Sequence, residues 1–263
     1  MLNTKRMSIV PTMRCTLRCK LCSNHVTEFK KPIDATVEEM IRDIDILFEL
    51  FDKIEWLQFV GGEIFLHKGM AEVYDHCKVH RGKFSKLILE SNATILPREA
   101  EITSLRKYGQ DAKVMISDYG MFSSKSDEFI RILESNEIPY VVKKYHDDDQ
   151  HYGGWIDNTS CRDYGESDSM VATKAARCPQ VLLENMHCFR GKLHRCSNSL
   201  FMSELKLFVP NDRDYVDLLD KSQSDNMKRD IIKDFYIYPR KSCHFCSWKD
   251  ADSLPRYPAA EQI

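Results

Sequence analysis

The sequence predicts an α/β protein whose parallel sheet or barrel is covered by helices. Through the first half, short apolar strands alternate with amphipathic helical stretches. The connections between strands are long enough for crossovers. Three polar motifs, a cysteine loop, "GGE" and "SN", each follow a strand, which places them on one rim, where ligands of such folds gather.

The elements follow in order. "RMSIV" is a strand that runs into the cysteine loop. "TVEEMIRDIDILFELF" sets Val37, Met40, Ile41, Ile44, Leu47, Phe48 and Phe51 on one helical face, and Thr36 with Glu39 forms a capping box at its start. "IEWLQFV" is a strand ending at Gly61 and Gly62, and "GMAEVYDHCKVH" is a helix. The strand "KLILE", a helix after Pro97, the strand "KVMIS", the helix "SDEFIRILES" and the strand "YVVKKY" complete the series. After about Tyr145 the stretch "HDDDQHYGGWIDNTSCRDYGESDS" loses periodicity and reads as a loop or linker between two parts of the protein. Beyond it, "NMHCFRGKLHRC" is a hairpin turning at Arg190 and Gly191, and "NDRDYVDLLDKSQSDNMKRDIIKDFY" is polar and helical in part.

Composition narrows the partners. A formal charge of -2, from 38 basic and 40 acidic residues, gives no basic excess for nucleic acid or an anionic membrane. No segment approaches the roughly 20 apolar residues of a membrane span. The start "MLNTKRMSIV" lacks the apolar run and cleavage site of a signal peptide. The expected location is cytoplasmic, and in that reducing compartment ten cysteines point to metal or catalytic use rather than to disulfides.

"RCTLRCKLC" offers Cys15, Cys19 and Cys22. Three thiolates on a 4Fe-4S cube satisfy three irons and leave the fourth open to an exchangeable chelate. The competing reading is a Cys3His zinc site completed by His25.

The CxxxCxxC spacing after a first strand resembles the hallmark of the radical S-adenosylmethionine superfamily, and Cys15, Cys19 and Cys22 match it position for position. The resemblance implies a partial (β/α)6 TIM-like barrel over residues 1–165 and an S-adenosylmethionine whose amino and carboxylate groups chelate the open iron. Electron transfer then yields methionine and a 5'-deoxyadenosyl radical. Leu21 stands where the family usually has an aromatic residue, and an apolar side chain there can still pack against adenine. Gly61, Gly62 and Glu63 resemble the family's GGE motif, in which glycines let the backbone approach a ligand and a carboxylate accepts hydrogen bonds from an ammonium group. Ser91 and Asn92 in "ESNAT" and Ser117 in "MISDYG" resemble cofactor contacts at the next two strand ends, with Asp118 and Tyr119 turned toward substrate. The alternative for these residues is ordinary polar strand ends entering turns.

Cys243 and Cys246 form a CxxC, a spacing that serves zinc or iron-sulfur alike. Cys178, the Gly191 hairpin and Cys196 resemble the auxiliary-cluster domain of the same superfamily. In its short "twitch" form, over residues 166–263, Cys178, Cys196, Cys243 and Cys246 would hold a second 4Fe-4S cluster. Cys77 reads as a core residue, and Cys188 is an alternative to Cys178 as a ligand. Cys161 is a candidate hydrogen-atom donor or an inert loop thiol. Trp155 is a substrate platform or a packing anchor, and "HDDDQ" reads as a solvated acidic loop in preference to a divalent-ion site.

The resemblance implies hydrogen abstraction from a carbinol C–H of a small-molecule substrate, a sugar, nucleotide-sugar or cyclitol, giving dehydrogenation or epimerisation. "SDYG", "GGW" and the terminal "PAAEQ" also resemble radical enzymes of carbohydrate biosynthesis. It further implies an external reductant such as flavodoxin or ferredoxin. Epimerisation or crosslinking of a ribosomal peptide ranks second, because the first strand begins too soon before Cys15 for a leader-binding domain. A zinc-binding interaction module is the distant third.

Overall fold

Alternation of strand and helix organises the first half of the computed structural model, which describes residues 1–237, 239–247 and 254–263. The strands are β1 (Asn3–Ile9), β2 (Lys53–Phe59), β3 (Phe84–Ser91), β4 (Ala112–Asp118) and β5 (Tyr140–Lys144). Between them lie α1 (Val37–Leu50), α2 (Met70–Cys77), α3 (Glu99–Arg106) and α4 (Ser126–Ser135). The helix α1 begins where the sequence places it: Thr36 Oγ1 accepts from Glu39 N and the Glu39 carboxylate from Thr36 N. Its face buries Met40, Ile44, Leu47 and Phe48 against the sheet, while Ile41 is only partly covered.

The second half adds α5 (Asp168–Ala176), α6 (Pro179–Leu182), β6 (Asn185–Phe189), β7 (Lys192–His194), α7 (Ser197–Glu204), β8 (Tyr215–Asp217), α8 (Asp225–Lys233) and α9 (Lys241–His244). Residue 238 and residues 248–253, within the stretch expected to form the twitch unit, lie outside the described residues. All eight strands form one sheet in the order β5-β4-β3-β2-β1-β6-β7-β8. Six of them run parallel, the number a (β/α)6 pattern requires. The sixth lies beside β1 rather than beside β5, with Met7 opposite Met186 and Ile9 opposite Cys188. The cysteine-rich second half thus extends the same sheet from the β1 side. Among the described residues no helix is long and apolar enough to cross a membrane.

Burial explains why β1 and β2 hold the centre. Met7, Ile9, Leu57 and Phe59 are at most 2% exposed, covered by α1, α2 and the neighbouring strands. The hairpin turns where expected: Arg190 and Gly191 both have positive φ, 48° and 82°, the pattern of a primed two-residue turn. A side chain on Gly191 would meet Leu219 Cδ1 at 2.7 Å. The strand β8 lies in a stretch read as polar and partly helical, since a three-residue strand with one buried side chain, Val216, carries too little periodicity to show.

Asp43 of α1 ties this hairpin down. It is 2% exposed, accepts from Gly191 N at 2.7 Å and pairs with Arg42 at 2.7 Å. Cys188 Sγ also lies 3.8 Å from its carboxylate. Replacing Asp43 by Ala leaves the Gly191 amide without its partner and should cost about 1–3 kcal/mol in urea unfolding. An unchanged midpoint would show that α1 does not anchor the hairpin.

Candidate functional site

The cysteine loop is packed against the end of β2 backbone to backbone. Gly62 N donates to Thr12 O at 2.9 Å and Glu63 N to Arg14 O at 2.8 Å. An added Cβ would sit 1.8 Å from Arg14 O at Gly62 and 2.5 Å from Thr12 O at Gly61. The two glycines therefore admit the cysteine loop itself. Thr12 and Arg14 are in turn held by Asp34, through Thr12 Oγ1 at 2.5 Å and Arg14 Nε at 2.9 Å.

Cys15, Cys19 and Cys22 line one cavity of about 200 Å³. Gly61 and Gly62 line it from the end of β2, Ser91 and Asn92 from β3, and Ser117 from β4. Leu17, rather than Leu21, supplies the loop's apolar contribution. Asn92 Nδ2 donates to Cys15 Sγ at 3.3 Å and Gln262 Nε2 to Cys19 Sγ at 3.5 Å. Burial pushes the thiols up, Cys15 to about 11 and Cys19 to about 12, with Cys22 moved the same way. A metal centre here must therefore displace their protons on binding.

Glu63 stands behind this wall. It is fully buried, and its carboxylate accepts from Ser91 Oγ at 3.0 and 3.1 Å, Asn92 N at 2.9 Å and Phe65 N at 3.3 Å. Burial raises its pKa to about 7 against the pull of those donors. In this arrangement Glu63 orients Ser91 and Asn92, which do line the cavity, and does not line it itself. Asp118 also points elsewhere, pairing with His146 at 3.2 Å and capping Gly120 N at 3.0 Å. Tyr119 lines the cavity with Tyr145 and Trp155, its ring edge-on to Trp155 at 5.5 Å. Trp155 is fixed by a two-way backbone pairing with Tyr257 at 2.8 and 2.9 Å, so it serves both as anchor and as wall.

His25 is occupied away from the thiols. It is completely buried, with Nδ1 2.7 Å from Glu28 Oε1 and Nε2 4.0 Å from Cys161 Sγ. It is absent from the lining of the thiol cavity, and a Cys3His zinc site would have to pull it from Glu28.

Cys178, Cys196, Cys243 and Cys246 line a second cavity of about 240 Å³, and Ser23 lines both. Cys178 and Cys196 sit at the N-termini of α6 and α7, and Cys243 lies in α9. Four thiols around one cavity form a donor set suited to an iron-sulfur cube or to zinc. Cys188 is buried on β6 against Asp43 and does not compete with Cys178 for this place. Cys77 is a fully buried core residue of α2. Cys161 lines neither cavity; its thiol is 3.5 Å from Asn158 O and burial pushes it up to about 12. No disulfide joins any of the ten cysteines.

Sequence reasoning missed the closing role of the chain's last residues. Lys20 N donates to Glu261 O at 2.7 Å, Ile263 N to Arg18 O at 3.0 Å, and Arg18 N to Gln262 Oε1 at 2.7 Å. A tail that pairs with a loop so far away in sequence leaves no periodic signal. Arg195 and Asn198, which reach the second set of thiols, were also missed; adjacency to Cys196 was the available hint.

Asp45, His76 and His80 form the one trio of His, Cys, Asp or Glu ligand atoms within 4.8 Å of one another among the described residues. Both Nε2 atoms lie 2.6–2.7 Å from the same Asp45 oxygen, a distance that needs an N–H on each ring. These contacts tie α2 and the residues after it to α1.

Residues 9–117 match the model of the Radical SAM superfamily. No curated protein gives a match to the chain. Among solved structures, BtrN in complex with AdoMet and 2-DOIA superposes at a TM-score of 0.56 and 14% identity, covering 100% of each chain. Native anSMEcpe with bound AdoMet and Kp18Cys peptide gives a TM-score of 0.54 at 12% identity, covering 97% of this chain and 93% of that one. Streptococcus suis SuiB bound to S-adenosylmethionine gives 0.38 at 14% identity over 55% of this chain, which spans 41% of SuiB. At these identities the first two likenesses establish the fold.

The fit of Gly62 against Arg14 yields a direct test. Gly62→Ala forces the cysteine loop off β2 and should destabilise the protein by about 1–3 kcal/mol. It should also speed thiol labelling of Cys15, Cys19 and Cys22 in metal-free protein. Unchanged stability and labelling would contradict the close approach.

Proposed function

We propose that the chain is a radical S-adenosylmethionine enzyme that oxidises a carbinol carbon of a sugar, nucleotide-sugar or cyclitol. The observation that carries this reading is the shared cavity of Cys15, Cys19 and Cys22 with the ends of β2, β3 and β4. Those three thiols would hold a 4Fe-4S cluster, and Cys178, Cys196, Cys243 and Cys246 a second one. When bound, the first cluster and S-adenosylmethionine supply a 5'-deoxyadenosyl radical that takes a hydrogen atom from the substrate carbon.

The chain's own residues do the rest. Asn92 donates to Cys15, and its backbone N–H together with the Ser91 hydroxyl is held by buried Glu63, which fixes the end of β3 against the thiols. Gly61 and Gly62 seat the cysteine loop against the end of β2, which sets its thiols on the cavity wall. Tyr119, Tyr145 and Trp155 offer aromatic faces and edges suited to the C–H face of a sugar or cyclitol ring and exclude water from the radical. An external one-electron donor such as flavodoxin or ferredoxin supplies the reducing electron.

Dehydrogenation is favoured over epimerisation because neither Cys161 nor Cys188 lines the cavity from which a hydrogen atom would be returned. The peptide reading stands second, supported by fold likeness to anSMEcpe, which is seen with a bound peptide.

Two measurements test the proposal. Cys243→Ala should remove about four irons while leaving S-adenosylmethionine cleavage in place; full iron content would overturn the second cluster. The cluster-loaded enzyme, offered sugars, nucleotide sugars and cyclitols in deuterated solvent, should yield a ketone. Deuterium at a carbinol carbon of an otherwise unchanged product would mean epimerisation, and turnover of peptides alone would establish the second reading.

A further inference from the structure

The two thiol sets differ in what is buried beside them. At the first, neutral amides of Asn92 and Gln262 donate to Cys15 and Cys19, and the nearby buried ionisable group is the acid Glu63. At the second, Arg195 is 2% exposed and its Nη1 lies 3.4 Å from Cys243 Sγ. Asn198 Nδ2 is 3.2 Å from Cys246 Sγ, and Ser199 N is 3.4 Å from Cys196 Sγ. Three of the four sulfurs thus receive N–H donors, one of them a guanidinium.

The guanidinium is held in place. Arg195 stacks over the Tyr236 ring at 5.8 Å, and Tyr236 Oη donates to Arg195 O at 3.3 Å. A second guanidinium, Arg240, is 3% exposed at the start of α9, with Nε and Nη2 lacking hydrogen-bond partners in the structure. An arginine cannot shed its charge at any working pH, so its field on the sulfurs is permanent.

Reduction adds negative charge to an iron-sulfur centre. A buried cation and N–H donors to the sulfurs stabilise the added charge, and the low local dielectric magnifies the effect. We infer that Arg195, assisted by Asn198, raises the reduction potential of the cluster held by Cys178, Cys196, Cys243 and Cys246, which makes that cluster a better acceptor for the electron of the substrate radical. Arg195 acts through the sulfurs and is a tuning residue rather than a catalytic one. The inference rests on the two-cluster reading above. In the balanced reaction the carbinol carbon gives its hydrogen atom to the adenosyl radical and the hydroxyl gives its proton to solvent. One electron goes to the oxidised 4Fe-4S cluster, and the C=O bond forms.

The test is a redox titration of the two-cluster enzyme followed by electron paramagnetic resonance, with the first cluster identified by its response to S-adenosylmethionine. Arg195→Leu should lower the potential of the second cluster by at least about tenfold in its reduction equilibrium, ~59 mV for one electron, and leave the first where it was. Arg195→Lys should restore part of the shift, because the charge is kept and the planar fork is lost. Asn198→Ala should lower the potential by less, and it carries the test with Arg195→Lys if Arg195→Leu fails to hold its cluster. Two clusters with an unmoved second potential in these variants would overturn the inference. Wild-type protein that binds only about four irons would instead overturn the reading beneath it.

Discussion

The structure depends on one close approach: the backbone of residues 12–14 lies directly on that of residues 61–63, with no room for a Cβ at Gly62. A parallel sheet brings the loops after β1 and β2 to the same rim, but only this contact lets their amides and carbonyls pair. The thiols and the ends of β2 and β3 that face them are placed from it. The loop carrying Cys15, Cys19 and Cys22 is fixed on one side, and Glu63 is driven inward on the other, where it takes hold of β3 through Ser91 and Asn92. A single backbone seam thus couples the thiols to the strand ends facing them.

The far ends of the chain complete the arrangement. The last residues pair with the cysteine loop through Lys20, Arg18 and Cys19, and the segment around Trp155 closes the aromatic side. The sheet grows from β1 in the opposite direction through β6, and the two thiol cavities share Ser23 in their walls. The substrate reading draws on this adjacency, since a site that both removes a hydrogen atom and accepts an electron needs its two centres near one another.

Much of this was legible in the sequence where local chemistry repeats or punctuates. The capping box at Thr36, the strand-helix alternation and the Arg190–Gly191 turn all follow from short-range rules, and the structure bears them out. Cys178, Cys196, Cys243 and Cys246, grouped in the sequence only by resemblance, line one cavity. What was not legible depends on distance. The placement of β6 beside β1, the tail on the cysteine loop and Arg195 on Cys243 join residues far apart in sequence, and no period or motif records them. Glu63 shows the middle case: its motif was visible, but its burial behind Ser91 and Asn92 is a property of the packed sheet.

The most direct measurement is made on wild-type protein reconstituted anaerobically with iron and sulfide, then given S-adenosylmethionine and dithionite. The account predicts about eight irons per chain and formation of 5'-deoxyadenosine together with methionine. Zinc retained at the cysteines and no cleavage of S-adenosylmethionine would contradict it.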